Sequence, residues 1–199
     1  IMKSSSKTIW IVVFAIAMGY LESAVVVYLR AIYYPGGFNF PLKAMSQSLA
    51  VTELFREAAT IVMILAVGIL AAKYWLHRFA WFLVVFGVWD IAYYVFLKII
   101  LGWPESLLTT DILFLLPSMW TGPVIAPVIN SITMIVLAWA ILGRRKDLQP
   151  IKVLMRSVWM LLLAGSVIIL IAYMEDFALF VFEKKQVFYS EGIEWNKFM

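Results

Sequence analysis

RFAWFLVVFGVWDIAYYVFLKIIL, residues 78–101, decides the fold. As an α-helix these 24 residues reach about 36 Å, longer than the ~30 Å hydrocarbon layer of a bilayer. Arg78 stands at one end, and Asp90 and Lys98 are the only charges further in. Working outward, four more stretches have the same character: about 8–33, 50–74, 121–143 and 157–182. The composition agrees. Hydrophobic residues make up 64% of the 199 and charged residues 14%, against roughly 45–50% and about 25% in soluble domains. A water-soluble globule is excluded. The apolar signal runs along the whole chain, so it is not that of a leader ahead of a soluble domain. The expected fold is an all-α polytopic bundle, a single integral membrane domain over 1–199.

Charge orients it. Arg144, Arg145, Lys146, Lys152 and Arg156 lie between the fourth and fifth stretches, and Lys3 and Lys7 precede the first. The positive-inside rule puts both groups in the cytoplasm, so five spans leave the C-terminus, including a polar aromatic tail over 183–199, outside. In that topology the cytoplasmic side holds nine Lys and Arg with one acid, Asp147. The remaining eleven acids fall on the outer side, and the net charge of +4 gives no support to nucleic-acid binding. The chain has no cysteine and one histidine, His77, beside Arg78 at a span end. Disulfides, thiolate chemistry, Fe–S clusters and bis-histidine haem ligation are thereby excluded within this chain.

Between the third and fourth spans, GWPESLLTTDILFLLPSMWTGPVIAP carries four prolines around an apolar run too short to cross. This predicts a short re-entrant or interfacial helix at about 105–116, stopped at Pro117. The outer loop YYPGGFNFPLKAMSQS, 33–48, is also aromatic and punctuated by Pro and Gly, and is expected over the same surface.

The polar residues inside the spans are unevenly placed. The cytoplasmic halves, such as VMILAVGILAA and ITMIVLAWAIL, contain no charge, whereas the outer halves carry Glu22, Arg30, Glu53, Arg56, Glu57, Asp90 and Lys98. Each ionisable group in a membrane helix costs about 2.5–3.5 kcal/mol on insertion scales, so these groups should face one another or water. Glu53, Arg56, Glu57 and Thr60 fall at i, i+3, i+4 and i+7, one stripe on an apolar helix. Asp90, Tyr93, Tyr94 and Lys98 form a second stripe, and both are expected to face a common outward-open chamber with Asp111 above it.

Two readings of that chamber stay open here. In one the charges are structural ion pairs that fix helix register. In the other, Glu22, Glu53, Glu57, Asp90 and Asp111 outnumber Arg30, Arg56 and Lys98, leaving carboxylates over. Spare carboxylates could carry protons, hold a hard divalent cation such as Mg²⁺, or act as general acid and base. On this reading Glu57 and Asp90 are the catalytic candidates, and Arg30, Arg56, Tyr93, Tyr94 and Lys98 the ligand-binding ones. Glu22, Glu53 and Asp111 are the candidate metal ligands.

GYLESAVVVYLRAIYYPGGF, ELFREAATIVMILAVG, FGVWDIAYYVFLKIILGWPESLL and TTDILFLLPSMWTGPVIAPV resemble segments of a hydrophobic bacterial inner-membrane protein family with no activity attached to it. The resemblance covers most of the chain. It implies a multi-pass location in the bacterial cytoplasmic membrane and transfers neither activity nor catalytic residues. No P-loop, zinc-protease helix, nucleophile elbow or dinucleotide fingerprint occurs. Three functions follow as expectations. The first is a non-catalytic assembly, anchor or binding subunit that meets a periplasmic protein or lipid headgroup. The second is an enzyme acting on a lipid phosphate at the outer interface. The third is a transporter of a small solute or cation, which the apolar inner halves disfavour unless an oligomer supplies the route.

Overall fold

A computed structural model describes residues 4–36, 46–114, 120–143, 159–175 and 179. The helices are α1 (Ser4–Tyr33), α2 (Gln47–Ala71), α3 (Trp75–Leu101), α4 (Ile125–Leu142) and α5 (Trp159–Glu175). Two short strands, β1 (Thr110–Phe114) and β2 (Trp120–Pro123), precede α4. Helices α1 to α4 are long and apolar enough to cross a membrane, and α5 is a shorter apolar helix. Parts of the predicted fifth span, the loop carrying Arg144 to Arg156 and the 183–199 tail lie outside the described residues.

Helix ends follow local chemistry. The Ser46 side chain accepts from the Leu49 backbone N–H and caps α2, which starts three residues before the predicted span. Only Ala72, Lys73 and Tyr74 join α2 to α3, so the two form an antiparallel hairpin, and Arg78 Nε donates to the Ala72 carbonyl at 2.9 Å. Helix α3 stops at Gly102, whose φ of 67° suits a residue without a Cβ and whose N–H returns to the Lys98 carbonyl.

The predicted helix at 105–116 is a correction. Thr110–Phe114 form strand β1, paired with β2 in a two-stranded sheet, and residues 115–119 lie outside the described set. Three physical features select this outcome. Prolines at 104 and 117 bracket the run, Thr109, Thr110 and Ile112 are β-branched, and Trp120–Pro123 supplies a pairing strand close enough in sequence for an antiparallel hairpin. The hairpin also takes the first residues assigned to the fourth span, so α4 begins at Ile125 and its 18 residues reach only about 27 Å.

The described residues fall into two compact units. The first, 1–110 with 123–145, holds α1 to α4, and α3 is its centre, packing against α1, α2 and α4. Glycines set these contacts: a Cβ on Gly19 would lie 2.7 Å from the Ala92 Cβ, and one on Gly87 would lie 2.7 Å from the Ser131 carbonyl oxygen. Towards the Trp75 end of α3, an apolar cluster of Ala80, Leu83, Val84 and Ala138 is overlaid by Phe79, Trp81, Met134 and Leu137. The second unit, 111–122 with 146–199, holds most of the hairpin and α5, where the Trp120 ring lies 5.9 Å from both Phe114 and Tyr173.

Candidate functional site

Glu22 on α1 and Asp90 on α3 each stand eleven residues before the end of their helix, about 16 Å in from it. Arg56 stands nine residues into α2, about 14 Å from its start. The positions of these groups are set by their partners.

Arg56 organises the first constellation. Its Nε donates to both Glu53 carboxylate oxygens at 3.0 Å, and Nη2 donates to Glu53 Oε1 at 2.5 Å. Nη1 crosses to α1 and donates to Glu22 Oε1 at 2.5 Å. Glu57, one turn along α2, brings Oε1 to 3.9 Å from Nη2. The stripe therefore converges, as its spacing requires, and its centre is the guanidinium. Glu53 and Glu57 are buried at 8% and 6% exposure. The planar five-donor fork of arginine serves two carboxylates at once, which a lysine ammonium does less well.

The guanidinium lies between Glu22 and Glu53, where a bridging cation would have to sit, and among the described residues no group of three or more Asp, Glu, His or Cys side chains is arranged to hold a metal ion. Asp111, the third candidate ligand, falls in the second unit, where it is buried on β1.

Two members of the second stripe, Asp90 and Lys98, have partners outside the Arg56 constellation. Asp90 Oδ2 accepts from the Ser131 hydroxyl of α4 at 2.7 Å, so this carboxylate belongs to the α3–α4 contact. Lys98 turns to the helix end, where Nζ donates to the carbonyls of Gly102 at 2.9 Å and Pro104 at 2.8 Å. The Arg30 guanidinium lies over the Trp103 ring, 3.7 Å from its centroid. Tyr93 and Tyr94 make an edge-on pair at 4.8 Å. A side chain's helical phase names its face, and the three helices packed on α3 offer three different faces.

Two contributors, Ser23 and Ser131, carried little sequence signal. Ser23 shares its hydroxyl proton between the Gly19 carbonyl at 2.8 Å and the Tyr93 carbonyl at 2.9 Å, tying α1 to α3. Ser131 holds Asp90. Trp89 is buried with its ring edge-on to Phe86 at 5.1 Å, and its Nε1 has no hydrogen-bond partner among the described residues. Small polar residues in apolar helices were the available cue for the two serines.

Comparison with protein-family models, with curated proteins and with solved structures finds no match.

Proposed function

We propose that this chain is a non-catalytic integral membrane subunit of the bacterial cytoplasmic membrane, an anchor or assembly partner whose outer face meets another component. Five helices cross in this reading, with the N-terminus and the 144–156 loop cytoplasmic and the C-terminal tail outside. The observation that carries it is the bonding of Arg56 to carboxylates on two helices. A reaction centre needs groups left over to move a proton or to grip a substrate. Here the guanidinium is spent on Glu22 and Glu53, and Asp90 is engaged by Ser131. These contacts lock helices, which is what an anchor requires.

The test is lipid turnover and solute flux in reconstituted vesicles. Wild type, Glu57→Gln and Asp90→Asn should all leave outer-leaflet phospholipids and a panel of ions and small solutes at the level of protein-free vesicles. Phospholipid turnover by the wild type that disappears in either folded variant would replace this reading with the enzyme.

A further inference from the structure

At the far end of the first unit from the apolar cluster, a cavity of about 360 Å³ opens between α3, α4 and residues 104–107. This is within the usual 300–1,000 Å³ of small-ligand sites. Tyr94, Leu107, Val124 and Val128 give it apolar walls, while Lys98 and Glu105 both line it. The Lys98 ammonium has three N–H donors, and the carbonyls of Gly102 and Pro104 use two, so it is held in place with one donor to spare. Val124 is the N-cap of α4 and Val128 lies in its first turn, the end of a helix that carries partial positive charge. Lys98 itself is three residues from the end of a membrane-length helix, the level at which lipid headgroups lie.

We propose that this cavity is a binding site for one phospholipid of the ethanolamine class. The phosphodiester accepts from Lys98 and faces the start of α4, the primary ammonium donates to Glu105, and acyl carbons lie along Tyr94, Leu107, Val124 and Val128. The paired charges select the headgroup. A phosphatidylglycerol offers Glu105 only hydroxyls, and a choline headgroup has no N–H to donate. This site is separate from the Arg56 constellation and holds whether or not the chain is a non-catalytic subunit.

The test is native mass spectrometry of the full chain extracted from nanodiscs of equimolar ethanolamine, glycerol and choline phospholipids. One charge-assisted hydrogen bond predicts about tenfold enrichment of the ethanolamine lipid. Glu105→Gln should bring retention of the ethanolamine and glycerol lipids close to parity, and Val128→Trp, which fills the cavity, should abolish the retained lipid. Thermal midpoints and helical circular dichroism confirm that each variant is folded. The proposal is overturned by equal retention of the three lipids by the wild type, by undiminished retention in folded Val128→Trp, or by an ethanolamine preference that survives Glu105→Gln.

Discussion

For Arg56 and Asp90 the hydrogen-bond partner fixes which helices are joined. Asp90 shows the consequence. Its described contact is the Ser131 hydroxyl, a charge-assisted hydrogen bond between α3 and α4. Ser131→Ala removes the donor and leaves the carboxylate in place, so it should destabilise by about 1–3 kcal/mol, seen as a lower thermal midpoint in detergent. Asp90→Asn keeps an oxygen to accept from Ser131 and should cost less. If the two variants unfold together with wild type, the hydrogen bond has no structural weight. At this scale the sequence was informative where partners share a helix. The spacing of Glu53, Arg56 and Glu57 identified their grouping, because three and four residues return a helix to the same face. It did not identify Ser131 or Gly102 as partners, since those depend on neighbouring helices and turns.

Among the elements, long apolar runs revealed α1 to α4 because a bilayer-length helix needs nothing beyond its own backbone to satisfy its hydrogen bonds. The hairpin was hidden for the opposite reason. A ten-residue apolar run has no decisive period, and β1 is satisfied only through pairing with β2. Glycines set how closely the helices approach. Gly19→Ala places a methyl 2.7 Å from the Ala92 Cβ and 2.8 Å from the Trp89 carbonyl oxygen, so α1 and α3 must separate. Gly87→Ala does the same between α3 and α4 and displaces the backbone of Ser131. Each should cost about 1–3 kcal/mol, the usual range for overpacking. Gly165→Ala on α5 meets no atom within 4 Å and should leave the thermal midpoint unchanged or slightly raised, the helix propensity of alanine being better. Equal effects at all three positions would separate stability from helix proximity.

For the molecule as a whole, side chains such as Leu70, Trp139 and Leu161 are 85%, 74% and 73% exposed, a distribution suited to lipid contact. The proposed orientation rests on the basic residues, and the chain contains no cysteine, so introduced thiols report it without background. In intact cells an impermeant maleimide should label Ser190→Cys and leave Ser6→Cys and Asp147→Cys unlabelled until the membrane is opened. Labelling of Asp147→Cys from outside would reverse the proposed topology. The central claim is that the Arg56 guanidinium holds α1 to α2 through Glu22. The most direct measurement is the coupling between these two residues, from the thermal stabilities of wild type, Glu22→Gln, Arg56→Gln and the double variant in one lipid environment. Non-additivity of about 1–3 kcal/mol is expected, with the double variant less damaged than the two single losses added together. Strict additivity would contradict it.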